Sequence, residues 1–292
     1  MLSSRFAMSA ARPVILCADD YGLTAGVSRG IADLLVAGRL SATSCMSVAA
    51  AWPAAANDLA GLFGRADIGL HLTLTRLAPL GPMPRLAPGG RLPDIGTLMR
   101  AALARRLDPA EIRAEIASEL ERQLDAFVAA TGRPPDFLDG HQHVHILPGV
   151  RDVVLDLVRR RLDPRRLYLR SCAERLPAIL GRRVAAPKAL LLSALSRGLR
   201  RRCAAAGIPT NRGFSGVNGF RREEDFGALF RRFLMYPGPL PLVMCHPGVP
   251  DAGLGELDDV TDRRRDELDY FAGPRFPNDI AECGSRLARF MR

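Results

Sequence analysis

The chain alternates between two hydrophobic patterns. Short β-branched or apolar runs are followed by longer stretches in which apolar residues recur every three or four positions. The first pattern predicts buried strands and the second predicts amphipathic helices. The predicted strands are residues 14–18, 43–48, 68–74, 137–139, 167–170 and 242–245. The predicted helices are residues 27–37, 54–62, 109–130, 150–160, 187–206 and 223–235, with a further helix after residue 261.

This order of elements predicts an α/β protein with parallel strands joined by crossover helices. It is compatible with an open doubly wound sheet and with a closed, irregular (β/α) barrel related to the TIM barrel. Polar residues recur at the ends of the predicted strands, as they do at the catalytic rim of a barrel, and we therefore favour the barrel. We expect residues 13–292 to form a single domain and residues 1–12 to be a disordered leader.

Two segments interrupt the alternation. Residues 76–93 are rich in proline and glycine, which predicts an irregular loop, either a lid over a substrate site or a passive surface excursion. Residues 174–211 contain an apolar helix of their own and are interpreted as a helical insertion. That insertion either covers the site or forms a subunit contact.

Composition supports a globular protein. Hydrophobic residues make up 48% of the chain and charged residues 25%. The sequence has no uncharged apolar run long enough to predict a membrane span. The six cysteines are scattered singly, without the CxxC spacing of zinc knuckles, which predicts reduced thiols and a cytoplasmic location.

The formal net charge of +10 raises the possibility of a nucleic-acid partner. The arginines, however, are spread along predicted helices and often lie near acids, as in residues 263–266, and this is typical of solvated helix faces. We therefore predict no nucleic-acid partner. Residues 200–202 are the densest basic segment, and their contact with acidic lipid or a polyanion is a less favoured alternative.

The five histidines mark the ends of predicted strands. His71 lies in the run GLHLTL, His246 follows a predicted strand in MCHPG, and the other three, His141, His143 and His145, lie in DGHQHVH. The Pro–Gly pair that follows the triple cluster predicts that the first of its histidines ends the strand and that the others lie in a turn. A fully structural role for three clustered histidines is improbable, because each has two ring nitrogens to satisfy.

An aspartate pair ends the first predicted strand. Asp19 and Asp20 supply carboxylates that, with imidazoles, can hold a divalent cation. Adjacent residues of a strand face opposite sides, so both aspartates can serve one site only where the chain turns, and Tyr21 and Gly22 permit a turn there. Two carboxylates allow one to bind a metal and the other to accept a proton. The alternative is that one aspartate caps the next helix.

The ordered motifs resemble the YdjC-like (ChbG/HpnK) carbohydrate deacetylases. They are ADDYGL from residue 18, GLHLTL from residue 69, LDGHQHVH from residue 138, LR at residues 169–170 and MCHP from residue 244. The resemblance extends over residues 13–275 and implies hydrolytic, metal-dependent deacetylation of an N-acetylated amino sugar. It allows a chito-oligosaccharide, another N-acetylglucosamine conjugate or a hopanoid-linked glycolipid as substrate.

The resemblance also implies residue roles. It implies one divalent metal ion, magnesium or zinc, held by Asp20, His71 and His141. It implies that Asp19 is the general base and that His246 is the general acid. In the implied reaction, water attacks the acetamide carbon, the metal and a positive group stabilise the oxyanion, and the acid protonates the departing amine.

Several assignments stay open at this stage. Arg170 either orients Asp19 and stabilises charge or forms a structural ion pair, whereas His143 and His145 either support the ligands or contact substrate. The resemblance suggests a homodimer. Two other functions compete, namely a metal-dependent phosphoesterase or amidohydrolase, and a catalytically silent carbohydrate-binding protein.

Overall fold

A computed structural model of the protein describes residues 11–221 and 223–290. Within these ranges the strands are β1 (Arg12–Tyr21), β2 (Ala42–Cys45), β3 (Asp67–Leu72), β4 (Phe137–Gly140), β5 (Tyr168–Leu169), β6 (Phe214–Ser215), β7 (Leu242–Cys245) and β8 (Ser285–Leu287). The helices are α1 (Ala25–Val36), α2 (Trp52–Ala55), α3 (Ile95–Leu103), α4 (Ala110–Thr131), α5 (Val150–Arg161), α6 (Leu176–Arg182), α7 (Ala186–Ala205), α8 (Phe226–Phe233), α9 (Leu254–Leu257), α10 (Arg263–Ala272) and α11 (Arg275–Glu282).

The strands form one curved sheet. Its order is β5-β4-β3-β2-β1-β7-β6, and all of these neighbours pair in parallel. Strand β8 pairs with the amino end of β1. Leu169 of β5 forms a parallel bridge with Thr210, in the segment that leads into β6, so the two edges of the sheet meet. The sheet is therefore an irregular (β/α) barrel, which confirms the sequence prediction.

The core explains why the strands read as short apolar runs. Apart from the first two residues of β1, the residues of β1 to β7 are all buried, because helices cover the sheet from outside and side chains fill it from inside. Amphipathic helices such as α1 and α5 bury one face against the sheet. The carboxyl ends of β1, β3, β4 and β7 consequently meet at one rim.

Several predicted boundaries were wrong. The predicted helix over residues 54–62 is the short α2 followed by a 3-10 turn, Ala56–Leu59. The predicted leader lies outside the described residues up to residue 10, but Arg12 already belongs to β1 and pairs with Ser285. Strands β6 and β8 were missed because Phe214–Ser215 and Ser285–Leu287 do not form apolar runs in the sequence.

The first of the two interrupting segments contacts side chains from other parts of the chain. Residues 76–93 contain no helix or strand, as predicted, and contact two other parts of the chain. Arg76 forms an ion pair of 2.5 Å with Asp259, and the Leu80 amide donates to the buried Glu119 of α4 at 3.0 Å. Residues 174–211 contain α6 and α7.

Among the described residues, no helix has both the length and the apolar character needed to cross a membrane.

Candidate active site

The end of β1 contains an irregularity that directs both aspartates to the rim. Ala18 pairs with Thr43, but three residues later Tyr21 pairs with Cys45, so β1 has one extra residue at this point. Asp20 has a φ of 70°, in the left-handed region that non-glycine residues seldom adopt. Because the extra residue breaks the alternation of side chains, Asp19 and Asp20 both contact groups of the same rim.

Asp20 meets two histidines. Its Oδ1 lies 3.3 Å from Nε2 of His71 and 3.0 Å from Nδ1 of His141, and all three side chains are buried. Ligand atoms bound at about 2.0–2.2 Å to one ion, at angles between octahedral and tetrahedral values, are separated by about 3.0–3.4 Å. Both distances from Asp20 fall in this range and all three donor atoms lie within 4.8 Å of one another, so the group could hold a single divalent cation.

The surroundings of His71 support the same conclusion. Its Nδ1 lies 2.6 Å from Oδ1 of Asp139, while its Nε2 faces Asp20, so both ring nitrogens meet carboxylate oxygens. Burial alone would lower the pKa of His71, but the charge and hydrogen bonds of these carboxylates outweigh it and raise the pKa to about 10. A neutral imidazole can donate from only one nitrogen. A cation at Nε2 would satisfy Asp20 and leave His71 neutral, with its Nδ1–H held by Asp139.

The second oxygen of Asp20 is held by an arginine that the sequence analysis missed. Arg264 Nη2 lies 2.6 Å from Asp20 Oδ2 and also contacts Asp258. Burial would raise the pKa of Asp20, but Arg264 and His141 outweigh it and hold that pKa well below its ordinary value. The prediction that residues 263–266 form a solvated face was wrong for this arginine, which is fully buried. Only the tertiary partners Asp20 and Asp258 distinguish it from its exposed neighbour Arg265.

Asp19 is paired with Arg170 from the end of β5. The guanidinium donates from Nη1 to Asp19 Oδ2 at 2.7 Å and from Nη2 to Asp19 Oδ1 at 2.5 Å. The same Nη2 lies 2.5 Å from Asp139 Oδ2 and 3.1 Å from Cys17 Sγ. Arg170 and Asp19 thus form a buried bidentate ion pair, a contact that both open interpretations of Arg170 require.

The last two histidines of the triple cluster lie in the turn that follows β4. His141 directly follows β4, and His143 lies in a 3-10 turn with a φ of 63°, as the sequence predicted for a strand end followed by a turn. His145 Nε2 lies 3.0 Å from the Arg170 carbonyl oxygen and donates to it. Burial lowers the pKa of His145 to about 4 and holds that of His143 well below its ordinary value. Both rings are therefore neutral near neutral pH.

His246 directly follows β7 and stands apart from the triad. Its backbone amide donates to Glu267 Oε2 at 2.6 Å, and its ring packs edge-on against Phe220 with centroids 5.2 Å apart. Its Nδ1 is buried and has no hydrogen-bond partner in the described part of the chain. Burial lowers the pKa of His246, and the charges of Asp20 and Asp19 oppose that effect. The imidazole is therefore available for a hydrogen bond with a bound molecule.

Comparisons with known proteins agree with this architecture. The profile of YdjC-like proteins matches residues 13–282. A chitooligosaccharide deacetylase of Enterobacter sp. (strain 638) is 30% identical over 285 residues, which cover 95% of this chain and 98% of that protein. A chitooligosaccharide deacetylase of Yersinia pestis (strain Pestoides F) is 36% identical over 155 residues. That match covers 53% of this chain and only a little more than half, 58%, of that relative.

A solved structure has the same fold. It is that of a candidate cellobiose-phosphate cleavage protein of Enterococcus faecalis V583, which superposes with a TM-score of 0.69 at 20% identity and covers 96% of this chain and 98% of that one. The profile match, the Enterobacter relative and the shared motifs all extend over nearly the whole chain. The protein therefore belongs to the family of YdjC-like proteins.

Proposed function

We propose that the protein is a divalent-metal-dependent hydrolase that removes the acetyl group from an N-acetylated amino sugar of the chito-oligosaccharide class. The observation that carries this proposal is the convergence of Asp20, His71 and His141 on one point beside the Asp19–Arg170 pair. The printed function of the Enterobacter relative, which matches along almost its entire length, supports the same activity.

The three proposed ligands would leave a coordination position on the metal open for water or substrate. A divalent cation held by Asp20, His71 and His141 would act as a Lewis acid toward the acetamide oxygen and make a bound water more acidic. Three protein ligands are typical of catalytic sites, which keep at least one position open. Asp139 holds His71 in one orientation, and Arg264 does the same for Asp20. Two of the three proposed ligands are therefore held in orientation by charged side chains that would not themselves bind the metal.

Asp19 is the proposed general base. Each of its oxygens accepts a hydrogen bond from Arg170, and Oδ1 also accepts from Cys17 Sγ at 3.7 Å, which leaves a lone pair on Oδ2 for a proton from water. The bidentate contact fixes the plane of the carboxylate. Arg170 is therefore proposed as a positioning residue, and His145, which binds its carbonyl oxygen, keeps its backbone in place.

His246 is the proposed general acid. Its ring lies at the end of β7, on the same rim as the triad, and its Nδ1 has no partner among the described residues. A proton from this ring to the sugar nitrogen would allow the carbon–nitrogen bond to break. The fixed backbone contact with Glu267 limits the positions that the imidazole can adopt.

The contacts of Arg170 weigh against a two-metal phosphoesterase. Such enzymes hold two ions about 3.5–4 Å apart. A second set of ligand types does exist in the described part of the chain, namely Cys17, Asp19 and Asp139. The guanidinium of Arg170 lies among these groups and contacts all three. A fixed organic cation therefore takes the place that a second metal would need.

The donor set also favours one kind of ion. Two imidazoles and one carboxylate suit zinc, cobalt or nickel, whereas magnesium prefers oxygen ligands and retains most of its waters. We therefore propose zinc or a similar ion ahead of magnesium. Among substrates, a soluble chito-oligosaccharide is proposed first, and a hopanoid-linked glycolipid is the alternative.

The decisive experiment measures acetate release from N-acetylated sugars. The protein is stripped of metal, then restored separately with zinc, cobalt, nickel, manganese and magnesium, and offered chito-oligosaccharides beside a phosphate monoester. We expect acetate release only after restoration, strongest with zinc or cobalt, and no phosphate release. Phosphate release without acetate release would favour the phosphoesterase, and sugar binding without either product would favour the silent binding protein.

A cytoplasmic location, a homodimer and a lid role for residues 76–93 are three further proposals. The location is supported by the six dispersed cysteines, which are free thiols in the structure. Cell fractionation tests the location, and sedimentation of the purified protein tests the dimer. The proposal that residues 76–93 act as a lid is tested by limited proteolysis, which substrate should slow within that loop.

A further inference from the structure

A basic cleft has a volume of about 1130 Å³. It is formed by α7, by residues 173–175, which follow β5, and by the segments that precede β6 and β7. The arginine cleft, as we call it, is lined by Arg175, Arg197, Arg200, Arg201 and Arg212. Among the described residues that line it, Glu174 alone has a carboxylate. The surface of this cleft is therefore strongly positive.

The single carboxylate does not neutralise the cleft. Oε2 of Glu174 lies 2.9 Å from Nη2 of the buried Arg182, which is not part of the cleft lining, and also accepts from the Phe214 amide. Its Oε1 accepts from the backbone amide of Arg175. The negative charge of Glu174 is thus already paired with Arg182.

The arginines of the cleft have no acidic partner in the described chain. The side chain of Arg175 reaches a backbone carbonyl at 3.5 Å, and the side chains of the other four make no ion pair or hydrogen bond with a described residue. Arg197, Arg200 and Arg201 are spaced by three and four residues on α7, so they share one face and repel one another. An anion in the cleft would relieve this repulsion.

The neighbouring Arg202 provides an internal contrast. It follows Arg201 on α7, but its Nε lies 2.8 Å from Asp152 of α5, and it does not line the cleft. An arginine of this helix therefore forms an ion pair where the fold places a carboxylate nearby. On the cleft side the fold places none within the described residues.

The arginine cleft is distinct from the proposed metal centre. Asp20, His71 and His141 lie at the carboxyl ends of their strands, whereas residues 208–213 and 238–240 of the cleft precede β6 and β7. Residues 173–175 of the cleft follow β5 but are not among the contacts of these three side chains. None of the cleft residues belongs to the triad or contacts it. A ligand in the cleft would therefore be recognised independently of the acetamide chemistry.

We propose that the arginine cleft binds a phosphate-bearing ligand. Guanidinium groups present pairs of N–H donors that match phosphate oxygens, and such charge-assisted contacts are stronger than neutral ones. The volume suits a ligand with more than one phosphate or a lipid headgroup, which is larger than a single phosphate ion. The phosphate is either part of a soluble molecule or part of the headgroup of an anionic phospholipid.

The test uses the full-length, metal-loaded protein at fixed ionic strength. Inorganic pyrophosphate is titrated by calorimetry, and cosedimentation is measured with vesicles of phosphatidylcholine, with and without phosphatidylglycerol. The test variant combines Arg197→Gln, Arg200→Gln and Arg201→Gln. The matched control is Arg202→Gln, which removes an arginine of the same helix outside the cleft. Thermal unfolding verifies that both variants are folded.

We expect the triple variant to bind the responding probe about 10–100-fold more weakly, because each of the three exposed charge contacts that it loses contributes roughly a factor of two to five. The control should retain near-normal binding, and both variants should retain metal binding and deacetylation. Binding of pyrophosphate identifies a soluble ligand, and binding of phosphatidylglycerol vesicles alone identifies a headgroup.

Three outcomes would overturn the proposal. They are no binding of either probe, equal weakening by Arg202→Gln, and much tighter binding of a single-stranded oligonucleotide with affinity that grows with its length. The last would identify a nucleic-acid surface. Because deacetylation is measured separately, failure of this proposal leaves the proposed catalytic function untouched.

Discussion

At the scale of single residues, the adjacent aspartates differ in their partners. Asp20 faces His71 and His141, with Arg264 on its other oxygen, whereas both oxygens of Asp19 are held by Arg170. The first arrangement suits the proposed role of Asp20 as a metal ligand. The second holds the Asp19 carboxylate in one orientation, which suits its proposed role as a separate proton acceptor.

Replacing Asp19 by asparagine should separate catalysis from metal binding. The amide keeps the shape of the side chain but cannot accept the proton, so we expect turnover to fall about 10²–10⁴-fold with near-normal metal affinity. The contrasting variant is Asp139→Asn, which weakens the support of His71 and should reduce metal affinity about 10–100-fold. Calorimetric metal titration and acetate release measure the two effects. Near-normal turnover of Asp19→Asn with stoichiometric metal would assign the base to another residue.

Replacing His246 by alanine tests its role as an acid. We expect turnover on an N-acetylated sugar to fall about 10²–10⁴-fold, the usual contribution of general acid catalysis. An activated acetyl ester has a leaving group that needs little protonation, so its hydrolysis should fall much less. Parallel kcat measurements on the amide and the ester provide the comparison. Equal losses on both substrates would instead make His246 an oxyanion or substrate contact.

At the scale of elements, the irregular end of β1 creates the site. The extra residue between Ala18 and Tyr21 and the left-handed Asp20 turn both carboxylates toward the rim. Gly22 continues this turn with a φ of 92°, and a Cβ there would lie 3.2 Å from Trp52 Cε3 and 3.3 Å from the Met46 carbonyl oxygen. The turn therefore depends on glycine for both its conformation and its space.

The variant Gly22→Ala should be more harmful than Gly38→Ala. Gly38 also has a positive φ, 67°, but a Cβ there would meet no atom within 4 Å. We expect Gly38→Ala to lower the free energy of unfolding by about 1–2 kcal/mol, the cost of the left-handed conformation. Gly22→Ala should cost at least about 1 kcal/mol more and also lower turnover. Urea unfolding and acetate release are the measurements, and equal losses of stability would show that crowding at Gly22 is unimportant.

At the scale of the whole molecule, helix α10 contacts the candidate site and also contains a group whose protonation affects the free energy of unfolding. Arg264 of this helix holds Asp20, and Glu267 of the same helix accepts from the His246 amide, so one helix contacts the rim at the ends of β1 and β7. Burial raises the pKa of Glu267 from an ordinary 4.5 to about 7, although nearby arginines oppose this. The folded protein therefore keeps the proton of Glu267 at pH values where the unfolded chain has lost it.

This difference predicts a pH dependence of stability. Below about pH 4.5 Glu267 is protonated in both states, and between about pH 4.5 and 7 only the unfolded chain ionises. The free energy of unfolding should therefore decrease with rising pH across this window, by about 3 kcal/mol at most from this group. In Glu267→Gln that decrease should be absent. Urea unfolding of both metal-stripped proteins at pH 5 and pH 8 tests this, and parallel pH profiles would contradict it.

The sequence by itself indicated the family, favoured the barrel over an open sheet and identified most of the residues that meet at the rim. Parallel strands buried on both faces require continuous apolar runs. Such runs can be recognised in the sequence without knowing which strands pair with one another. The motifs at the strand ends placed Asp19, Asp20, His71 and His141 at one rim, because the carboxyl ends of parallel strands meet there. Their catalytic and ligand roles stay predictions, although the structure brings all four together with Arg170.

The tertiary structure alone decided which charges are buried and paired. Arg264 and Arg265 are neighbours in one basic run, yet the first is enclosed with Asp20 and Asp258 and the second is exposed. Likewise Arg201 lines the arginine cleft and has no acidic partner among the described residues, whereas Arg202 forms an ion pair with Asp152. The electrostatic role of a charged side chain depends on partners far away in sequence and on its distance from water. The local sequence pattern contains neither the identity of these partners nor the depth of burial. Both become known only from the folded chain.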